Sequence, residues 1–119
     1  MSSERKFEFS PKLIAEYKEL SQITKADSAT HNDDVGQFCF CYESINKVRE
    51  RYNQGEISID DAIFKVQNTT NYFELQFDNQ LNLQKSDAER RRSPLFRRFQ
   101  FLNRLAESFV EEQKRISTH

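Results

Sequence analysis

Residues 58–81 read SIDDAIFKVQNTTNYFELQFDNQL. Mostly apolar residues recur there at steps of four and three, which is the spacing of one face of an α-helix. Ser58 is a preferred helix N-cap, and Asp60 and Asp61 follow it in the first turn, where the helix dipole favours negative charge. The pattern predicts a continuous helix over 59–85. Its buried face is predicted to consist of Ile59, Ile63, Val66, Thr70, Phe73, Phe77 and Leu81.

Helix-start and helix-stop signals divide the rest of the chain. Pro11 follows Ser10 and Pro94 follows Ser93, so each proline stands in the first helical position, where its missing N–H costs nothing. Gly55 is a natural left-handed helix stop. The sequence therefore predicts an all-α antiparallel bundle of three to four helices in one domain, 1–119, with helices at about 11–24, 32–53, 59–85 and 94–116.

Helical spacing also predicts the buried faces of the second and fourth helices. For the second helix the predicted face is Val35, Phe38, Cys41 or Tyr42, Ile45, Val48 and Tyr52, and for the fourth it is Leu95, Phe99, Leu102, Ala106, Phe109 and Ile116. Only one segment alternates polar and apolar residues as a strand does, Lys6-Phe7-Glu8-Phe9.

Composition narrows the class of protein. The chain has 119 residues, of which 36% are hydrophobic and 31% charged, and its 18 basic and 19 acidic residues nearly cancel, which argues against a disordered chain. No apolar run is long enough to cross a bilayer, so no transmembrane helix is expected. No apolar stretch follows the N-terminus, so no secretory signal is expected either. With only two cysteines, a disulfide framework is not expected, and a cytoplasmic location is predicted.

Catalysis has little support in the sequence. His31 falls in a predicted loop and His119 is the last residue, so neither has a partner that would fix its tautomer. Cys39 and Cys41 lack the further Cys or His ligands that a zinc site needs. Two glycines in the whole chain leave no room for a phosphate-binding loop. We therefore expect no enzyme, no cofactor and no metal.

Charge is unevenly distributed along the chain. Residues 85–104 carry seven basic and two acidic residues, a net charge of +5, while the remainder carries −6. The arginine fork suits bidentate contact with carboxylates and phosphates. The prediction is an electrostatic anchor for an acidic protein surface, formed by Arg90, Arg91, Arg92, Arg97, Arg98 and Arg104.

Two other interpretations of the arginines stay open. Phe96, Phe99 and Phe101 interleave with them, and aromatic rings beside arginines stack on exposed bases, so nucleic acid is the alternative partner. The arginines also suit a purely structural role, pairing with acidic helix starts such as Asp33 and Asp34 at the same end of the bundle.

Apolar residues off the predicted buried faces suggest a contact surface. Phe40 falls opposite the buried face of the second helix, and Phe64 and Leu75 fall off that of the third, where eight amide side chains lie between 67 and 84. The sequence predicts a small helical protein-binding module, such as an inhibitor, immunity factor, adaptor or assembly subunit, that docks on another protein. Phe40 and Leu75 are its further candidate contacts, and self-association is a third possibility.

Overall fold

The computed structural model describes residues 6–22, 34–77 and 93–118, and in that part of the chain every regular element is a helix. The all-α fold is confirmed. The four helices are α1 (Pro11–Leu20), α2 (Asp34–Asn53), α3 (Ile59–Gln76) and α4 (Pro94–Ser117).

The central helix is α4, which packs against each of the other three. It runs parallel to α2, since the Phe38 ring lies 5.7 Å from that of Phe101 and, further along both helices, the Tyr52 hydroxyl donates to Glu112 Oε2 at 2.7 Å. Only residues 54–58 join α2 to α3, which therefore returns in the opposite direction. With α1 antiparallel to α4, the bundle alternates up and down.

Serine caps begin three of the helices as the sequence predicted. The side-chain oxygens of Ser10, Ser58 and Ser93 accept backbone N–H groups three residues further on, at 3.2, 3.1 and 3.1 Å. Each bond satisfies one of the amide donors that the first helical turn leaves without a partner.

The end of α2 is a Schellman motif. Gly55 has φ 78°, its N–H donates to the Tyr52 carbonyl at 3.0 Å, and the Glu56 N–H donates to the Arg51 carbonyl at 2.9 Å. Glycine is favoured here because a Cβ clashes with the backbone at positive φ. The predicted stop at Gly55 is confirmed.

Helix α1 ends at Leu20, four residues before its predicted end. In a longer helix the Leu20 carbonyl would accept from the N–H of residue 24. In the structure, Arg98 Nε donates to that carbonyl at 2.8 Å, and a second Arg98 nitrogen donates to the Gln22 carbonyl at 3.1 Å. A side chain from α4 therefore replaces the next turn of α1.

The prediction that α3 continues to residue 85 is wrong. The helix ends at Gln76, and Phe77 leaves helical geometry with φ −117° and ψ 20°. The next two residues in the sequence are Asp78 and Asn79, and aspartate and asparagine are weak helix formers. Residues 78–85, including Leu81 of the predicted buried face, lie outside the described residues.

Burial confirms most of the predicted core but corrects α4. Phe101 and Leu105 are fully buried, although the predicted face omitted both, whereas Ile116 is exposed and Phe99 only partly buried. Three helices surround α4, so its buried arc is wider than the single stripe from which the prediction was made.

The segment before α1, residues 6–10, is neither helix nor strand. The Asn53 carboxamide holds the backbone of Phe7, since Asn53 Oδ1 accepts the Phe7 N–H at 2.9 Å and its Nδ2 donates to the Phe7 carbonyl at 3.0 Å. Arg49 donates to the same carbonyl at 3.1 Å. The Phe7 and Phe9 rings then pack edge-on against Phe109, at 4.9 and 5.9 Å.

Stacked tyrosines join α1 to α2. The rings of Tyr17 and Tyr42 lie 3.6 Å apart and within 10° of parallel. Burial raises the pKa of both hydroxyls, and for Tyr17 a hydrogen bond with Cys39 adds to the effect. These hydroxyls therefore stay neutral at physiological pH.

Candidate protein-binding surface

Arg98 is the most deeply buried of the predicted anchor residues that the structure describes. Its side chain is 1% exposed, its guanidinium lies 6.0 Å from the centre of the Phe38 ring, and it donates to the α1 carbonyls described above. A guanidinium in this position cannot contact another protein. The inclusion of Arg98 in the surface anchor is therefore corrected, because its donors are used to end and hold α1.

Arg97 and Arg104 lie at the surface and both bind α1. Arg97 contacts Glu19 at 3.2 Å, and Arg104 contacts Glu16 at 2.6 Å. Pairing of the earlier arginine with the later glutamate shows that α1 and α4 are antiparallel. These two carboxylates come from the body of α1. Asp33 and the side chain of Asp34 lie outside the described part of the chain, so pairing of arginines with that helix start stays a prediction.

The remaining predicted anchor residues, Arg90, Arg91 and Arg92, lie outside the described residues. Their part in binding stays a prediction.

Arg97, Arg98 and Arg104 together form what we call the α1 clamp. The clamp shows that half of the candidate anchor already has partners within the chain.

Large apolar side chains are exposed on the outer side of α2 and α3. Leu75 is 76% exposed, Phe64 65%, Phe40 59% and Tyr72 47%. Only Ile14 and Ile116 are also exposed among the large apolar side chains of the described residues, and both are less so. We call Phe40, Phe64, Tyr72 and Leu75 the outer patch. The sequence indicated three of its members and missed Tyr72.

On α3 the patch is directed away from the core. Phe64 and Leu75 are eleven residues apart, which at 3.6 residues per turn is within about 20° of three full turns. They therefore lie almost on one line, about 16 Å apart along the axis. The buried residues Val66 and Phe73 lie on the opposite side of the helix.

The contact between α2 and α3 sets the level of Phe40 relative to this line. Cys41 Sγ lies 4.0 Å from the carbonyl oxygen of Thr69, which fixes the register of the two helices. Phe40, the neighbour of Cys41, is therefore level with Thr69 and Thr70. That level is midway between Phe64 and Leu75, so the patch extends to either side of it.

The polar residues on the line from Phe64 to Leu75 carry no charge. Asn68 and Asn71 lie on the line from Phe64 to Leu75, and the Tyr72 hydroxyl accepts a hydrogen bond from Gln76 at 2.7 Å. Amides mixed with aromatic and aliphatic side chains, with charge depleted at the centre, are typical of protein-contact surfaces.

The buried side chain of Glu112 was not expected from the sequence. It accepts from the Tyr52 hydroxyl at 2.7 Å and forms a two-point pair with Arg115, at 2.8 Å for each bond. The spacing contained the signal for this residue and for Arg98: positions 98, 102, 105, 109 and 112 repeat at steps of four and three.

Neither cysteine points to catalysis. Cys41 is fully buried, and burial raises the pKa of its thiol to about 11, so it remains protonated at neutral pH and is a poor nucleophile. Cys39 is partly buried beside Tyr17. Within the described ranges no three residues among His, Cys, Asp and Glu come together as a metal site.

The chain matches no protein-family model, no curated protein and no solved structure. In the part of the chain that the structure describes, no helix has the length and apolar character needed to cross a bilayer. The candidate site therefore depends on the geometry of the outer patch and of the α1 clamp.

Proposed function

We propose that this protein is a small helical protein-binding module that docks through the outer patch of α2 and α3. The exposure of Leu75, Phe64 and Phe40 carries the proposal. Single apolar residues on a surface need no explanation, but several large ones gathered on one side mark an interaction site.

The position of the patch supports this function. A helical surface formed by α2 and α3 is preorganised, because the Schellman turn and the packing of both helices on α4 fix it before any partner arrives. Binding then loses little backbone entropy. A preformed rigid surface suits an inhibitor, an adaptor or an assembly subunit, and the cytoplasm remains the predicted location.

The arginines have a narrower part in this proposal than the sequence suggested. Residues of the α1 clamp hold α1 on the bundle, so an acidic partner would be bound by Arg90, Arg91 and Arg92. Charge complementarity between partners chiefly raises the association rate and adds specificity. Apolar contact at the patch supplies the affinity.

A capture experiment with matched variants tests the function. Tagged wild-type protein, the double variant Phe64→Glu/Leu75→Glu, the triple variant Arg90→Glu/Arg91→Glu/Arg92→Glu and the control Ile116→Glu are each incubated with host lysate, with and without nuclease. Ile116 is an exposed apolar residue outside the patch, so its variant controls for adding charge to the surface.

We expect the wild type and the control to retain one stoichiometric protein after nuclease treatment, and the double variant to lose it. Loss with the arginine variant alone would move the site to the arginines. Nuclease-sensitive binding that weakens steeply with salt would replace the proposal by nucleic-acid binding. Equal capture by all four proteins would overturn it.

A further inference from the structure

Three of the four members of the outer patch, all except Tyr72, are nearly symmetric about one level of the molecule. Phe64 and Leu75 lie at equal distances on either side of the level that the contact between Cys41 and Thr69 assigns to Phe40. A surface of this kind is complementary to itself after rotation by 180° about an axis across the helices at that level. Two-fold dimers have such isologous interfaces.

Rotation about this axis brings two α3 residues, one from each copy, to the same level when their residue numbers sum to 139. Phe64 then faces Leu75 of the second copy, and Asn68 faces Asn71. Tyr72 comes level with Gln67 and has no apolar counterpart. Phe40 comes close to the axis and therefore to its own counterpart. The α3 helices of the two copies run antiparallel.

Charge does not oppose this pairing. Glu74 lies nine residues from Lys65, half a turn around α3, and so on the other side of the helix, while the two copies of Lys65 are separated by about 13 Å along the helix axis. Like charges are therefore not brought together along the helix. Mutual repulsion of like charges, which would oppose association of identical surfaces, is avoided along this part of α3.

The exposed area is of the size that a modest dimer needs. Four side chains of roughly 150–250 Å² each, exposed by a little over half on average, provide about 500 Å² of apolar surface per copy. Asn68, Asn71 and the stem of Lys65 extend the surface toward the 800 Å² or so per partner of a standard interface. The expected affinity is micromolar rather than nanomolar.

We infer that a second copy of this chain covers the outer patch, forming a two-fold dimer in which Phe64 of each copy lies on Leu75 of the other. This inference rests on the proposed function, because it names the partner of the same surface. Every residue it uses belongs to α2 or α3.

The first test is the molar mass in solution. Sedimentation equilibrium from about 1 to about 500 μM should show the mass of the full chain rising from 14.2 kDa toward twice that value. Leu75→Glu should stay monomeric, and Ile116→Glu should dimerise like the wild type. Circular dichroism confirms that each variant retains its helices.

A charge-pair experiment tests the register. Phe64→Lys and Leu75→Glu each place charges against apolar residues in their own dimers, so each alone should be monomeric. Mixed together they form one Lys–Glu pair and one native Phe–Leu pair, and we expect a heterodimer that salt weakens. A mixture that stays monomeric, where the wild type dimerises, would overturn this pairing.

The outcomes separate this inference from the proposed function. A wild type that is monomeric at every concentration overturns the dimer, but the function stands if Phe64→Glu/Leu75→Glu still abolishes capture from lysate. A dimer that Leu75→Glu does not disrupt lies on another surface and also overturns the inference. A monomer whose capture is unaffected by the patch variants overturns both.

Discussion

The α1 clamp and the outer patch differ in how their side chains are used. In the sequence, the arginines are the most conspicuous feature, yet Arg98 is buried against α1 carbonyls and Arg97 and Arg104 pair with glutamates of α1. Phe64 and Leu75 attract less attention, yet they are the residues left open to solvent. A cluster of charge does not identify a binding surface until its internal partners are known.

Among substitutions in the α1 clamp and the outer patch, Arg98→Met should lower the free energy of unfolding the most. The substitution keeps an apolar stem but removes the donor of the Gln22 carbonyl and of the buried Leu20 carbonyl, and leaving the latter unsatisfied lowers the free energy of unfolding by about 3 kcal/mol. Urea denaturation measures it. Arg97→Met, which loses only an exposed pair, is the control and should cost less than about 1 kcal/mol.

If Arg98→Met were as stable as Arg97→Met, the clamp would not be what holds α1. In Arg98→Met the near-ultraviolet signal of the tyrosines should fall at a lower urea concentration than the far-ultraviolet signal of the helices. If the two signals of the variant fall together, the stability is lost by the bundle as a whole and not by α1 alone.

An intermediate effect is expected from alkaline pH at Cys41, which lies where α2 meets α3 beneath the outer patch. The pKa of this thiol is raised from 9.0 to about 11 in the folded protein. Between those values the unfolded chain releases the proton first, so the stability is present below pH 9 and is lost as pH rises. The loss is roughly 1 kcal/mol per pH unit.

The stability difference between wild type and Cys41→Ala isolates this effect, since other titrating groups contribute to both proteins. We expect the difference in unfolding free energy to shrink as the pH is raised from about 8.5 to about 10.5. A difference that is constant over this range would contradict the burial of the thiol.

The smallest effects on the free energy of unfolding are expected from substitutions in the outer patch. Leu75→Ser and Phe64→Ser remove side chains that contribute little to the folded chain, so each should change the free energy of unfolding by less than about 0.5 kcal/mol. The measurement is made at a concentration at which the wild type is monomeric. Phe73→Ala, on the buried side of the same helix, should cost about 3–5 kcal/mol.

A loss above about 1 kcal/mol for either serine variant would mean that the residue packs within the chain. The outer patch would then be part of the core. The ratio between the effects at Phe73 and at Leu75 thus measures how completely function and folding are separated on the two sides of α3.

Local signals explain which parts of the fold were predictable. The serine caps and Gly55 act within a few residues of themselves, so the sequence predicted three helix starts and the stop of α2. The end of α1 depends on Arg98, which is 78 residues away from Leu20 in the chain. No local pattern contains that contact.

The candidate site was predicted only where the residue types were informative. Phe40 and Leu75 are apolar residues away from the buried stripes, and the structure finds them exposed. Arg98 and Glu112 are charged residues at core spacing, and residue type was given more weight than position. The repeat from 98 to 112 would have identified them, because a charge on a core stripe requires a buried partner.

The stacked rings of Tyr17 and Tyr42 give this protein a spectroscopic reporter of its own. The chain has no tryptophan and only four tyrosines, so its near-ultraviolet signals are simple. Two parallel phenol rings 3.6 Å apart couple their electronic transitions, and this coupling exists only while α1 lies on α2. Whether the first helix is docked can therefore be read from unlabelled protein, and Tyr72, alone on the outer patch, reports separately on its solvent.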